Sequence, residues 1–508
     1  MNKWDSGYVT GIDYTTGFYG DMTPAHLSFA LLAQNLAAPA IGAAFNYCEL
    51  GCGQGLTTNL MAAAYPQGSF WANDFSPTHI AAARKFASAA GMTNVQFFDS
   101  SFAEFCEADL PQFDFICLHG VWTWISVENR HAILRFIRSR LKVGGVVYVS
   151  YNALPGWAPL QPLQRLLSDH AATSSDPIET RIRRAVAFAE SVRAAGSRYF
   201  EANQAVPARM ESIKEASPNY LAHEYLVADF APAYHADVVR DFSEAKLSFV
   251  GSADIRHQVD ALNFNPQQLQ LLDEVAEPVL RETVRDFILA KRFRQDLFMR
   301  GLTPLDAQEA NARWLDARFV LRMKRSEVPS VVQGPVGEVT LHPEVYGPVL
   351  DALAAGPRSV AQIAAEPSVK AIGLDRIRQA LTVLVGMEAV APCLAAEGEP
   401  GRLARTRAFN VISLERAQRR GAGAWLASPV TGSGVAIAGV LQLFLYARHL
   451  QREDIAEYVW EVLSGRGVRL KKDDKEIESP EENLAELRNN VARFNEVTLP
   501  VFKNLGIT

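Results

Sequence analysis

The sequence predicts an α/β protein. A seven-strand sheet of the parallel type carries a helical insertion, and two further regions come after it, one of winged-helix-like order and one mostly helical. Three observations predict this. Over the first 155 residues short apolar runs alternate with helix-like segments, the pattern of parallel α/β architecture. A glycine-rich turn, ELGCGQG (49–55), succeeds the first apolar run and opens a helix. The chain also has 508 residues, more than one hydrophobic core supports, so roughly two to four domains are expected.

The strands are predicted at 45–50 (FNYCEL), 69–74 (SFWAND), 95–99 (VQFFD), 113–119 (FDFICLH) and 145–151 (GVVYVSY). Each is short and nearly all apolar, as a strand covered on both faces must be. Helices are predicted between them at 58–65, 77–91 and 127–145, the last two ending at glycine. Residues 156–240 read as mostly helical, with arginine-rich polar faces such as ETRIRRAVAFAESVRAAG. Strand character returns at 247–255 (LSFVGSADI) and 295–301 (QDLFMRG), completing the sheet. The expected organisation is therefore a discontinuous core (1–155 and 241–302), an insertion (156–240), a middle domain (303–400) and a C-terminal domain (401–508).

A proline- and glycine-rich stretch, RSEVPSVVQGPVG, marks the boundary into the middle domain, where a strand is followed by three helices. That order resembles a winged helix. The presumptive third helix offers only Arg376 and Arg378, and the whole chain carries a net charge of -6, so neither DNA nor an anionic membrane is an expected partner. The most apolar stretch, 435–447 (VAIAGVLQLFLYA), is short of a membrane span and reads as a buried helix. In the last region Ser479 caps a helix that opens with Pro480, Glu481 and Glu482. The N-terminus lacks a basic region followed by an apolar run, and the five cysteines are scattered, which together suggest a cytoplasmic protein with reduced thiols. No metal-ligating constellation is evident.

The glycine loop decides the ligand class. A dinucleotide fingerprint needs its third glycine at position 56, which is Leu56, and the chain has no Gly-Lys-Ser/Thr after the loop as a phosphate site requires. The pattern present is Glu-x-Gly-x-Gly-x-Gly, at Glu49, Gly51, Gly53 and Gly55. This resembles the first motif of class I S-adenosylmethionine-dependent methyltransferases, which implies a Rossmann-like sheet and S-adenosyl-L-methionine as cofactor. The chemistry agrees with the resemblance. That cofactor bears a sulfonium and an ammonium, so bare backbone at Gly51 and Gly53 and a nearby acid suit it. Asp74 ends the second strand 25 residues after Glu49, where a carboxylate can take the ribose hydroxyls. Asp99 ends the third strand 25 residues later, where it can accept from the adenine amine, and Phe75 is placed to cover the adenine. Each acid alone reads more readily as a helix cap; three at successive strand ends beside the glycine loop favour the cofactor.

The acceptor is read from the residues after the fourth strand. LHGVWTWISVENR stands in place of the Asn/Asp-Pro-Pro-Tyr/Phe of adenine and glutamine methyltransferases, which disfavours those acceptors. His119 could act as a base, touch the cofactor, or simply close a strand end by a hydrogen bond. Trp122 and Trp124 could line a pocket or pack. HGVWTWI (119–125), VSYNALPGW (149–157), YLAHEYL (220–226) and EAKLSFVGSADI (244–255) resemble bacterial methyltransferases with a methyltransferase regulatory domain, including rickettsial-type protein lysine methyltransferases. The stretch YTTGFYGDMTPAHL (14–27) fits the same pattern, with Thr-Pro-Ala-His where the family often has Thr-His-Pro. The resemblance implies a protein substrate and methylation of lysine. A free lysine, of pKa about 10.4, must first lose a proton, and aromatic walls at Tyr19, Trp122, Tyr151 and Trp157 could favour the neutral amine. A small-molecule or glycan acceptor, with the extra domains forming a homodimer contact or a gate, is the alternative. A cofactor-binding regulatory protein without turnover is the third reading.

Overall fold

A computed structural model of the chain describes residues 16–227, 229–420, 423–472 and 475–508. Residues 1–15, including Tyr14 and Thr15 of the N-terminal stretch, lie outside the described residues. After α1 (Pro24–Leu32), the chain alternates β1 (Phe45–Leu50), α2 (Leu56–Ala64), β2 (Gly68–Asp74), α3 (Pro77–Ala89), β3 (Val95–Asp99), α4 (Phe102–Glu107), β4 (Phe113–Leu118), α5 (Val127–Arg140) and β5 (Leu141–Asn152). The insertion is helical: α6 (Gln161–Ala172), α7 (Ile178–Ala194), α8 (Arg198–Ala202), α9 (Ala205–Glu215), α10 (Pro218–Tyr225) and α11 (His235–Ser243). Then β6 (Ser248–Ser252), α12 (Asp260–Asn263), α13 (Pro266–Glu274), α14 (Pro278–Leu289) and β7 (Phe293–Met299) complete the sheet.

Strand order is β3-β2-β1-β4-β5-β7-β6. The first five strands are parallel, and β7 runs antiparallel between β5 and β6. This is the predicted seven-strand Rossmann-like sheet. Because β1 has β2 on one side and β4 on the other, the chain reverses its winding at β1, and the crevice beyond the strands' carboxyl ends opens there. Local signals set the helices that frame it. The side chains of Ser76 and Ser126 accept from the backbone N–H three residues on, starting α3 and α5 at the sheet's carboxyl edge.

The middle region holds α15 (Ala307–Asp316), β8 (Arg318–Leu321), β9 (Val331–Gly334), β10 (Gly337–Thr340), α16 (Pro343–Leu353), β11 (Arg358–Ser359), α17 (Val360–Ala365), α18 (Leu374–Gly386) and β12 (Val390–Cys393). The expected strand followed by three helices is β10, α16, α17 and α18. Its core is continuous with that of the sheet: Phe29 of α1 packs edge-on against Trp314 and Phe319, with ring centroids 5.9 and 5.5 Å apart. Arg378 of α18 lies over the Trp314 ring and donates to Asn311.

The C-terminal region contains α19 (Glu399–Arg420), a hairpin of β13 (Ala424–Ala427) and β14 (Gly434–Ile437), α20 (Val440–His449), α21 (Ile455–Gly465), α22 (Pro480–Arg493) and α23 (Leu499–Asn504). Ser479 caps α22 as predicted, accepting from the Glu482 N–H. The stretch 435–447, expected to be one helix, divides instead. Val435–Ile437 pair with β13, Gly439 takes φ +56°, and only then does α20 begin. Helix α19 lies against α2 and its neighbours: Arg405 donates to the Ala62 carbonyl of α2 at 3.3 Å and to Asn94 at 2.5 Å, Phe409 packs on Phe86 of α3, and Arg416 donates to Gln54 of the glycine loop at 3.1 Å. Among the described residues no helix is long and apolar enough to cross a membrane.

Candidate active site

The loop between β1 and α2 is shaped by three glycines in the left-handed region, Gly51, Gly53 and Gly55 at φ +73°, +52° and +67°. At two of them space as well as φ demands glycine. A Cβ at Gly51 would sit 2.6 Å from Val121 Cγ2, and one at Gly55 would sit 2.7 Å from both Ala83 Cβ and the Phe97 ring. The loop is tied to the next strand by backbone: the N–H groups of Gly51 and Cys52 both donate to the Asn73 carbonyl at 2.9 Å. Glu49, at the end of β1, is buried and accepts from the Thr58 hydroxyl of α2. Burial pushes its carboxyl up to about 7, and the neighbouring charge of Asp74 acts in the same direction, while Thr58 opposes it.

Asp74 stands where its position in the sequence suggested, at the end of β2 and in the cavity wall, but its first partners belong to the protein. Oδ2 accepts from the Gly53 N–H at 2.9 Å, and Oδ1 accepts from the Ser76 N–H at 2.9 Å with His79 Nδ1 at 3.2 Å. It therefore fixes the glycine loop as well as facing the ligand space. Phe75 and His79 join it in the wall. Asp99 does not. It is exposed, because β3 is the edge strand and its end opens to solvent, and the wall here is made by Ser100, Ser101 and Phe102 instead. Two polar atoms in this wall, Asn73 Oδ1 and Ser100 Oγ, are buried without a hydrogen-bond partner among the described residues. Such atoms call for a polar ligand. With Glu49, the glycine backbone and Asp74, they fit the donors and positive charges of S-adenosylmethionine.

The acceptor side sorts the predicted aromatics. Tyr19 and His119 stack with centroids 3.9 Å apart, and both line the cavity. His119 Nδ1 lies within hydrogen-bonding distance, 2.8 Å, of the Tyr148 hydroxyl, which also accepts from Gln295. Burial lowers the His119 pKa to about 4. A base that weak is poorly matched to proton abstraction at neutral pH, which disfavours that role and favours contact or orientation. Trp157 lines the cavity, packed against Phe230.

Trp122 and Tyr151 do not line it. Trp122 is 0 % exposed and packs on Phe242 of α11, with Arg130 over its ring. Tyr151 is 1 % exposed and donates to Asp296 of β7 at 2.6 Å. Parity along β5 explains the second case: Val147, Val149 and Tyr151 share the face turned to α11, and the opposite face brings Asn152 to the cavity. For Trp122, the aromatic two residues on, Trp124, takes the wall position, against Phe230 at 4.4 Å.

These groups surround one cavity of about 490 Å³, within the usual range for small-ligand sites, about 300–1,000 Å³. Its far wall comes from the insertion and was not predicted: Arg209 of α9, and Tyr220, His223 and Glu224 of α10. A signal was present. YLAHEYL places 220, 223 and 224 at the i, i+3, i+4 spacing of one helix face. Burial also raises the Glu224 carboxyl to about 7, against the lowering influence of Arg209.

Comparison with known proteins bears on this arrangement. Residues 48–145 match a family described as a methyltransferase domain, and residues 217–300 match one described as a predicted methyltransferase regulatory domain. The second match runs from α10 through β7, so it spans part of the cavity wall and two strands of the sheet. The uncharacterized protein sll1526 of Synechocystis is 41% identical over 505 residues, covering 99% of this chain and 100% of that protein. The uncharacterized protein RP789 of Rickettsia prowazekii is 26% identical over 288 residues, 56% of this chain and 51% of its own length. Among solved structures, PKMT2 from Rickettsia typhi in complex with AdoHcy superposes with a TM-score of 0.73 at 18% identity, covering 97% of this chain and 99% of that one.

Proposed function

We propose, for a chain that belongs to the class I S-adenosylmethionine-dependent methyltransferases carrying a methyltransferase regulatory domain, that the acceptor is a lysine side chain of a protein. The observation that carries this reading is the cavity that joins the glycine loop to an aromatic, acid-bearing wall. S-adenosylmethionine supplies a methyl group on a sulfonium sulfur, which an amine nitrogen takes with its lone pair while the sulfur keeps the electrons of the broken C–S bond. The chain's residues divide the work of holding it. Gly51 and Gly53 would let the ligand approach the backbone, Glu49 would offset its positive charge, Asp74 and His79 would hold the ribose, and Phe75 with Ser100–Phe102 would border the adenine.

On the other side the aromatic side chains of Tyr19, Trp124, Trp157 and Tyr220 line the cavity. Such a surface suits an alkyl chain ending in an amine: the rings attract the ammonium on entry, and desolvation then lowers its pKa toward the neutral, nucleophilic form. Alignment of amine and methyl group supplies most of the acceleration. The rickettsial structure named PKMT2, seen with AdoHcy, shares this fold over nearly its whole length and supports the reading. A small-molecule amine is the second reading, favoured by the charged and polar side chains that α9 and α10 add to the cavity wall.

The test uses S-adenosylmethionine with a labelled methyl group, the purified protein and fractionated cell extract. Label recovered as methylated lysine after protein hydrolysis is the expected result. Label found only in extractable small molecules would sink the lysine reading.

A further inference from the structure

Helix α10 brings into the cavity a carboxyl group that neither cofactor binding nor aromatic packing uses. Its Tyr220, His223 and Glu224 line the cavity, while Leu221 and Tyr225 are buried in the insertion's own core. Arg209 donates from Nε to the Tyr225 hydroxyl at 2.7 Å and from Nη2 to the Tyr220 hydroxyl at 3.2 Å, and its charge lowers the Glu224 carboxyl against the larger effect of burial. Glu224 lines the same cavity as the aromatic rings of Tyr19, Trp124, Trp157 and Tyr220, with Arg209, Asp229 and Arg292 as further charged groups in its wall.

We propose that Glu224 is the ammonium receptor of the acceptor site: it selects a primary alkyl amine and accepts the proton that amine must shed before methylation. This rests on the lysine reading and narrows it to a named group. An alkylammonium, of pKa about 10.4, has no lone pair. Paired with the Glu224 carboxylate it is drawn into the cavity; there one N–H bond breaks, the proton passes to a carboxylate oxygen, and a neutral amine faces a neutral acid. Charge is conserved, and both products are the forms that burial favours. The carboxyl, raised by burial to about 7, is a better proton acceptor here than an ordinary glutamate. Arg209, Tyr220, His223, Tyr19, Glu49 and Asp229 share the cavity with it.

The experiment compares wild type with Glu224→Gln, which keeps shape and removes charge. Binding of n-butylamine, n-butanol and butyrate is followed at pH 8 by tryptophan fluorescence, which Trp124 and Trp157 in the wall make sensitive to occupancy. Wild type is expected to bind n-butylamine at least tenfold more tightly than E224Q, with n-butanol unaffected and S-adenosylmethionine affinity within twofold. Glu224→Asp is expected to retain the amine preference. With poly-L-lysine as acceptor and saturating S-adenosylmethionine, the wild-type kcat should rise through about pH 7, a limb that E224Q lacks. Equal n-butylamine affinity in E224Q, a preference for butyrate, or loss of S-adenosylmethionine affinity would each overturn the proposal. Lysine methylation by E224Q at the wild-type rate would overturn it while leaving the lysine reading intact. Methylation of small amines but not of protein lysine would do the reverse.

Discussion

Glu49 and Glu224 face the same cavity, and burial raises both carboxyls to about 7, yet they are held by different means. Glu49 ends a central strand whose neighbours on both sides are fixed in register, Glu49 opposite Ala72 and Cys117, and Thr58 donates to it. Glu224 rides on an eight-residue helix that reaches the cavity through side-chain contacts of α9 and the insertion's small core. The cofactor wall is therefore set by backbone pairing, and the acceptor wall by side chains arriving from distant parts of the chain. A wall of the first kind keeps one ligand geometry; a wall of the second kind can be refitted to a new acceptor without rebuilding the sheet.

The largest effect that would separate the walls is expected at Arg294. It is buried between Glu282 (2.9 Å), Asp286 (2.7 Å) and Asp296 (2.9 Å), and Asp296 also holds Tyr151 of β5 and His235 of α11. This cluster fastens the chain where it returns from the insertion to the sheet. Arg294→Met strands three carboxylates in the interior, and urea unfolding should show a loss of about 3–5 kcal/mol. S-adenosylmethionine affinity at low urea should survive, since the glycine-loop wall does not use the cluster.

Gly51→Ala tests the other wall. A left-handed alanine costs about 1–2 kcal/mol, and overpacking against Val121 adds about 1–3 kcal/mol. Calorimetric titration should show S-adenosylmethionine affinity reduced by one to two orders of magnitude, with the sheet still folded by circular dichroism.

A smaller effect is the pH dependence of cofactor binding. The Glu49 acid is raised, so the free protein holds it largely protonated below about 7, and a cationic ligand favours the ionised form. Affinity should therefore rise as pH increases through 7, by about tenfold between pH 6 and 8, and fall away on the acid side. Glu49→Gln should flatten the curve; a slope that persists in that variant would assign the proton to another group. The smallest effect is expected for Tyr220→Phe, which removes the hydroxyl that receives Arg209 Nη2. Loss of one hydrogen bond of about 0.5–1.5 kcal/mol should raise the acceptor KM a few-fold and leave cofactor affinity alone.

Much of the cofactor wall was legible because it is local. β1 and β3 fall where the apolar runs put them, and the loop glycines, Asp74 and Phe75 all lie within a few residues of strand ends. Asp99 failed for a reason spacing cannot express: β3 is the sheet edge, so the cavity passes to Ser100 and Phe102. Trp122 and Tyr151 failed because an aromatic beside a strand end reads the same whether it faces ligand or core. Which it faces depends on α11 and β7, both far along the chain.

Short-range periodicity, turn chemistry and motif spacing were enough to specify the sheet, the glycine loop and the class of cofactor, because parallel α/β units and the residues at their strand ends are encoded within a few tens of residues. On the wall proposed to face the acceptor, Tyr19 and Trp157 were legible in the sequence and packing decided the rest. Helix α10 turns Tyr220, His223 and Glu224 toward the loop, Trp124 and Asn152 take the places expected of Trp122 and Tyr151, and α19 braces Gln54 from the far end of the chain. Those contacts join segments remote in sequence, and no local propensity encodes which of a helix's faces will meet them.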